Sequence, residues 1–480
     1  MQILAYFFPE IWLATGALAL LTIDFMKPKA RRTMTAAAYL AVAGALICIF
    51  CPWWEQGMGI LPFVFDDFSL DGLTLGFTLL ILTGTLVTIA LAQEDETLKP
   101  NWGSFLGLLV LASLGCVLLV KARDFVYAFL AIELISISSF ILVAFERREL
   151  AMIEGALKYF LVGAFSSAIA LYGISLCYAA TGTTGFGAIA QAAAQAGDAR
   201  HWLATTGLLL VLVSFGFKAS IAPFHFWVPD AYQAAPTPFT AYLSVVPKLA
   251  ALGVLVALTS ATFGLGQAAI HAAGLTKILA VLAVLTMTVG NVSAIHQNDL
   301  KRLLAYSSIA QAGYMMIGIL AATKLGGSAV LLYGFAYLLM NLGAFACVFW
   351  VAKQTDSYDI TACDGLAVTH LPFALTFTAF LLSLAGIPPL VGFLGKYLVF
   401  ASALDVGWAW PVAVAGVLNS VISVYYYLRI AYRMFFVENR TGAAIAAPQG
   451  FSVLVLVIVL MLIGTISLGI YPKPLLALVQ

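Results

Sequence analysis

Three lysines, Lys218, Lys248 and Lys396, each lie inside a long apolar run, with Pro223, Pro247 and Pro389 respectively close by. A charged side chain in the centre of hydrocarbon costs roughly 2.5–3.5 kcal/mol on insertion scales, so such residues persist where chemistry needs them. The chemistry open to a buried ammonium is to hold, accept or release a proton. Burial opposes the charge of Lys218, while the carbonyl end of a half-helix favours it. An acidic counterpart is present in Ala131-Ile-Glu133-Leu, where Glu133 stands alone in the middle of another apolar run. Lys158, which opens the next run, is the nearest cation in sequence and the expected partner of Glu133. The alternative for Lys158 is an exposed i,i+4 pair with Glu154. At about 4 Å and an effective dielectric near 20, one ion pair is worth roughly 4 kcal/mol. Moving a proton against about 100 mV costs roughly 2.3 kcal/mol. Making or breaking one pair is therefore large enough to load or unload a neighbouring lysine, and this set of residues points to ion transfer.

The elements that must position these groups are apolar helices. Hydrophobic residues make up 63% of the 480 positions and charged residues 9%, more apolar surface than a water-soluble fold can hide. The surrounding solvent is lipid. A net charge of +1 without a basic tract argues against a nucleic-acid partner. The first apolar run, residues 5–25, contains Glu10 and Asp24 and follows no basic leader, so it reads as a retained first span. Of the six cysteines only Cys48 and Cys51 are closely spaced, and they read as small helix residues, with a disulfide as the alternative. The five histidines show no metal-ligand spacing, and neither a GxGxxG fingerprint nor a Walker A loop is present. The chain is expected to bind no metal, nucleotide or electron carrier of its own.

Runs long enough to cross a bilayer of about 30 Å number fourteen, near 5–25, 33–53, 71–92, 102–121, 124–145, 155–180, 203–222, 238–260, 274–295, 301–322, 327–352, 370–400, 406–436 and 451–470. Segment 223–237, rich in proline and aromatic residues, reads as a partial helix and loop attached to the seventh. Pro223 interrupts the seventh span, and Gly386-Ile-Pro-Pro-Leu interrupts the twelfth. Proline removes a helical hydrogen bond, and open backbone at membrane depth is tolerated where it lines a cavity or is buried in protein. Two broken helices five spans apart predict an inverted repeat. The expected units are three N-terminal helices (1–100), a first five-helix repeat (102–262), a second, inverted repeat (270–437) and a C-terminal helix (450–480). Loops joining odd to even spans hold thirteen Lys/Arg against six on the other side, which places both termini outside. Counted from its cytoplasmic start, span twelve would carry Lys396 close to the outer face. A headgroup anchor is therefore the alternative to a proton-transfer role.

The stretch Gly216-Phe-Lys218-Ala-Ser-Ile-Ala-Pro223-Phe-His225-Phe-Trp227-Val-Pro229-Asp230-Ala-Tyr232, together with Asn298-Asp-Leu-Lys301-Arg-Leu-Leu-Ala-Tyr306-Ser-Ser308 and Leu384-Ala-Gly-Ile-Pro388, resembles the antiporter-like subunits of respiratory complex I. The resemblance covers roughly spans four to thirteen. It implies an all-α integral membrane fold of about fourteen helices with two of them discontinuous, and proton transfer by Glu133, Lys158, Lys218, Lys248 and Lys396. It adds His225 and Tyr306 as relay candidates; read from the residues alone, His225 fits a satisfied loop histidine equally well and Tyr306 fits packing. Lysine rather than glutamate at 396, and a chain that stops at Gln480 without a long lateral helix, resemble the N-type branch. The resemblance further implies that NADH, flavin, iron–sulfur clusters and quinone reside in partner subunits. It also implies neighbouring M-type and small membrane subunits, and a multi-pass location in the bacterial inner membrane. The alternative is a cation/proton antiporter subunit or the membrane subunit of a related hydrogenase complex.

Overall fold

The computed structural model describes residues 7–49, 71–146, 150–195, 198–263, 275–438, 452–473 and 476. The first part of the chain forms α1 (Phe8–Met26), α2 (Arg31–Ile49), α3 (Gly72–Ala92), α4 (Trp102–Lys121), α5 (Phe125–Val143), α6 (Leu150–Thr181), a short α7 (Phe186–Gln195), α8 (Asp198–Ala219), α9 (Val228–Ala234) and α10 (Thr237–Phe263). The second forms α11 (Leu275–Ile295), α12 (Leu300–Ala321), α13 (Lys324–Thr355), α14 (Leu371–Ala385), α15 (Val391–Leu404), α16 (Trp410–Phe436) and α17 (Val453–Ile470). Among the described residues, 13 helices are long and apolar enough to cross a membrane, and α14 with α15 completes one further crossing. These are the expected spans, shifted by a few residues at their ends. The tail of the second span, and Cys51 with it, lies outside the described residues. Helix α7 was not anticipated, because its ten residues, half of them alanine, are too few for an apolar span.

Lipid supplies no hydrogen bonds, so backbone polar groups must be satisfied within the fold. Hydroxyls inside the helices bond back to carbonyls one turn earlier, as Thr78 does to Thr74 at 2.8 Å and Thr85 to Ile81 at 2.7 Å. Helix starts are capped by side chains: Asp124 accepts from the Val126 N–H at 2.7 Å and Asp299 from the Arg302 N–H at 2.8 Å.

Those two aspartates also mark the repeat. Asp124, just before α5, bridges to Gly185 just after α6, and Asp299, just before α12, bridges to Asp359 just after α13. The pair α5–α6 thus has its counterpart in α12–α13, five spans later and therefore upside down. Both broken helices turn through a left-handed residue, Ser220 with φ 63° and Gly386 with φ 87°. At Gly386 a Cβ would also meet the Lys396 Cδ at 2.8 Å, so only glycine suits the position. Gly392 lets the second half-helix approach the first, since a Cβ there would lie 1.9 Å from the Ser383 carbonyl oxygen.

The interior is built around α10, α12 and α13, whose membrane-spanning windows are 94%, 94% and 89% buried, whereas those of α1, α2 and α17 are each 28% buried. Within α10, Pro247 cannot donate to the carbonyl of Leu243, and the Tyr232 hydroxyl donates to that carbonyl at 3.4 Å instead. Helix α9, the outlying half of the seventh crossing, packs between α6 and α12 and so touches both repeats.

Candidate functional site

Lys218 sits at the end of α8, where the helix opens at Ser220, and is 3% exposed. Its Nζ donates to the Tyr159 hydroxyl on α6 at 3.2 Å and stands 5.6, 5.4 and 5.2 Å from the ring centres of Phe140, Tyr159 and Phe217. Aromatic faces attract a desolvated cation without fixing its proton in an ion pair. Lys248, on α10 directly after Pro247, is fully buried and donates to the Ser308 carbonyl at 2.7 Å and to the Ser308 hydroxyl at 2.9 Å. Lys396, near the start of α15, is 3% exposed, donates to the Ala385 carbonyl at 2.9 Å and the Ser420 hydroxyl at 2.8 Å, and lies 4.5 Å from the Tyr314 ring centre. It therefore faces the interior beside the break rather than the headgroups. Among the described residues, none of the three lysines forms a salt bridge.

Neutral polar groups lie between two of them. Ser308, the partner of Lys248, is one turn before Gln311 on α12. Gln311 Nε2 donates to the Leu384 carbonyl at 3.1 Å and to the Tyr427 hydroxyl at 3.3 Å, while its Oε1 accepts from the Tyr333 hydroxyl. Leu384 adjoins Ala385, the carbonyl that receives Lys396. Tyr427 also shares a hydrogen bond with Ser307 at 2.6 Å. Hydroxyl and amide groups of this kind can pass a proton on or turn to follow it without a net charge of their own. Ser308, Gln311, Tyr333, Tyr427 and Ser420 were not singled out from the sequence, although Gln311 in mid-span was a readable signal.

The carboxylates are arranged differently from expectation. Lys158 does not pair with Glu133. Its Nζ meets Glu154 at 2.7 Å and Asp230 of α9 at 2.8 Å. Glu133 is half-buried and accepts from the Ser167 hydroxyl. The reason is axial: Ser167 lies nine residues beyond Lys158 on α6, about 13 Å at 1.5 Å per residue. Adjacent helices were the correct inference, but the two groups sit at different depths. Glu133 and Lys218 are both held by α6, Glu133 through Ser167 and Lys218 through Tyr159. Asp230 uses its other oxygen to receive Arg302 of α12 at 2.6 Å. Partial burial works against ionisation of Asp230, but the hydrogen bonds and charges of Lys158 and Arg302 outweigh it and hold the carboxyl below its ordinary range.

His225 occupies the open segment between α8 and α9, 7% exposed, its ring tilted against that of Phe226 with centres 4.6 Å apart, and its Nδ1 lacks a hydrogen-bond partner among the described residues. Tyr306 is partly buried in the apolar packing of α12, and its hydroxyl makes no hydrogen bond among the described residues. The polar face of α12 is carried by its neighbours Ser307 and Ser308. No group of three or more His, Cys, Asp and Glu residues is placed to hold a metal among the described residues.

Residues 122–423 match the family described as "NADH:quinone oxidoreductase/Mrp antiporter, TM". The NADH-quinone oxidoreductase subunit N of Trichlorobacter lovleyi is 36% identical over 479 residues, 98% of this chain and 95% of the relative. That of Desulforamulus reducens is 38% identical over 469 residues, 97% and 95% of the two chains. Among solved structures, a chain of respiratory complex I from Thermus thermophilus with bound aureothin superposes with a TM-score of 0.80 at 33% identity, covering 98% of each chain. A chain of the membrane-bound sulfane sulfur reductase, an archaeal respiratory membrane complex, reaches 0.82 at 22% identity, covering 100% of this chain and 96% of that one. One from the Mrp complex of Dietzia sp. reaches 0.81 at 21%, with the same coverage. The last two likenesses establish the fold alone.

Proposed function

The chain belongs to the NADH:quinone oxidoreductase/Mrp antiporter membrane family, and on that footing we propose that it is the N-type proton-translocating subunit of a bacterial complex I. The observation that carries this reading is the buried axis in which Lys218, Lys248 and Lys396 are held by neutral dipoles instead of carboxylates. Each ammonium can give up its proton without leaving an adjacent carboxylate unpaired. Glu133 biases the first of them through space, so a change in the surroundings of Glu133 loads or unloads Lys218. A proton at Lys248 is handed towards Lys396 through Ser308 and Gln311, and the Lys248–Ser308 bond is the step that crosses from the first repeat (102–262) to the second (270–437). Lys158 belongs to the cytoplasmic end, where Asp230 holds it.

This chain contributes no redox chemistry in the proposed scheme. Electrons pass from NADH to quinone through the flavin and iron–sulfur clusters of partner subunits. Here the family's work is the movement of the proton, in a multi-pass subunit of the inner membrane with both termini on the periplasmic side and M-type and small membrane subunits beside it. The second reading, a cation/proton antiporter or hydrogenase-type subunit, rests on the matched family, whose description also takes in the Mrp antiporter. The test is to isolate the chain with its native neighbours and measure pumping by Lys218→Ala in the assembled particle. Co-isolated flavin and iron–sulfur proteins, and loss of both quinone reduction and proton transfer, are expected. A particle lacking those proteins selects the second reading, and undiminished pumping by Lys218→Ala removes Lys218 from the path.

A further inference from the structure

We propose that the seam between α3, α4 and α10 is a second, outward passage for water and protons, closed in this structure by an apolar plug. The proposal rests on the proton-transfer reading above, but its first test does not. A cavity of about 360 Å³ opens at the end of the seam opposite Lys158, between the start of α3 and the ends of α4 and α10. At roughly 30 Å³ per water molecule it has room for on the order of ten. Its polar wall is Asp71, Thr74, Arg123 and Ser260, and its deeper, apolar wall includes Phe77 and Val256. Arg123 keeps the mouth in shape: it donates to the Val120 and Ala122 carbonyls at 3.0 Å each, to the Thr74 hydroxyl at 2.9 Å and to Asp71 at 3.3 Å.

Helical phase carries the same seam inward to a second polar cluster. On α3 the cavity face at Thr74 continues through Ile81 to Thr85, seven and then four residues on. On α4 it runs back from Val120 through Val117 to Ser113, and on α10 from Gly253 through Leu249 and Val246 to Tyr242. There the Ser113 hydroxyl lies 2.8 Å from that of Thr85 and 3.0 Å from that of Tyr242, with the Cys116 sulfur 3.9 Å from Tyr242. All of these groups are buried. The cluster adjoins the relay, since α10, which carries Tyr242, packs against both α4 and α8, the helix that ends at Lys218.

Between cavity and cluster stand Phe77, Ile81, Val117, Val246 and Leu249, all at most 1% exposed. From Phe77 to Thr85 the axial distance is about 12 Å at 1.5 Å per residue. A dry stretch of that length blocks proton hopping at rest, and a shift of α3 against α10 would wet it. The Thr85 and Ser113 hydroxyls also reach the Ile81 and Leu109 carbonyls at 2.7 and 2.8 Å, so passage of a proton across the cluster requires each to turn its hydrogen from that carbonyl to its neighbour. Helices α3 and α4 both lie outside the residues matched by the family, 122–423, so two of the three walls of this passage come from outside the matched region.

In sealed vesicles holding the assembled complex, Val256→Cys should be modified by a charged, membrane-impermeant thiol reagent from the face opposite Lys158 only. Ser260→Cys at the mouth serves as the positive control, Leu255→Cys on the adjoining buried face should stay inert, and the parent chain gives the background. Modified Val256→Cys should release protons severalfold more slowly during NADH oxidation. Ile81→Ser should raise the passive proton leak of resting vesicles. An inert Val256→Cys beside a reactive Ser260→Cys, or modification without any change in pumping, overturns the passage. An unchanged leak in Ile81→Ser overturns the plug. Loss of the underlying proton-transfer reading would appear separately, as undiminished pumping by Lys218→Ala.

Discussion

Lys396 shows how a single residue divides two roles. Counting residues from the cytoplasm carried it towards the headgroups, but the break at Gly386 shortens the rise and turns its ammonium onto the Ala385 carbonyl and Ser420. A relay needs a group that can lose its proton, and arginine keeps its charge at any accessible pH. Lys396→Arg and Lys396→Ala should therefore both lose most proton pumping in assembled complex, whereas an anchor would tolerate arginine; proton release per NADH oxidised decides between them. A companion comparison concerns Glu133. Glu133→Gln removes the charge acting on Lys218 and should pump poorly, while Glu133→Asp should retain partial activity. Equal activity of the two variants would dismiss the electrostatic role. Glu133, Lys218, Lys248 and Lys396 were legible because a charge inside an apolar span stands out, and Lys158 because it opens one. Their partners were not: Asp230 is 72 residues from Lys158, and Ser308 and Gln311 are of types that also serve ordinary packing in membrane helices.

At the scale of elements, prolines and glycines announced both breaks, and the split of the twelfth crossing into α14 and α15 falls at Gly386-Ile-Pro-Pro-Leu. The sequence could not show how the free half-helix α9 is held. Its seven residues are too few to be a stable helix alone, and it is clamped by charge, with Asp230 joining Lys158 of α6 to Arg302 of α12. Lys301 adds bonds to the Gln233 and Ala235 carbonyls at 3.2 and 2.6 Å. Because the folded Asp230 carboxyl titrates below its ordinary value, near about 3.9, its clamp is complete above that value. The clamp is lost only as pH falls through the lower, folded value. Across the neutral range it should thus be insensitive to pH. Asp230→Asn should loosen α9 at all pH values, seen as faster amide exchange in 228–234 and reduced pumping, with Asp230→Glu restoring part of both. Unaltered exchange in Asp230→Asn would show that packing alone holds α9.

The whole molecule joins its N-terminal helices to the repeats through an ion pair in the interior. Glu10 of α1 meets Lys121 at the end of α4, and both side chains are buried. In the sequence Glu10 served only to argue that the first span is retained, since nothing near it suggested a cation 111 residues away. Burying two charges is costly, and their attraction repays that cost only while both are present. Removing Lys121 leaves the Glu10 carboxylate buried without this counter-charge, a loss of about 3–5 kcal/mol, whereas replacing both with apolar residues of similar volume is often neutral or better. Lys121→Met alone should therefore weaken the docking of α1 on α4, lowering the thermal midpoint of the solubilised subunit and its yield in assembled complex. Glu10→Leu combined with Lys121→Met should recover most of the loss. The double variant also separates adhesion from transport, because a pair that only fastens α1 can be replaced without reducing proton release. If the double variant is as unstable as Lys121→Met, the pair is not what secures α1; if it is stable but pumps poorly, Glu10 and Lys121 belong to the proton path as well.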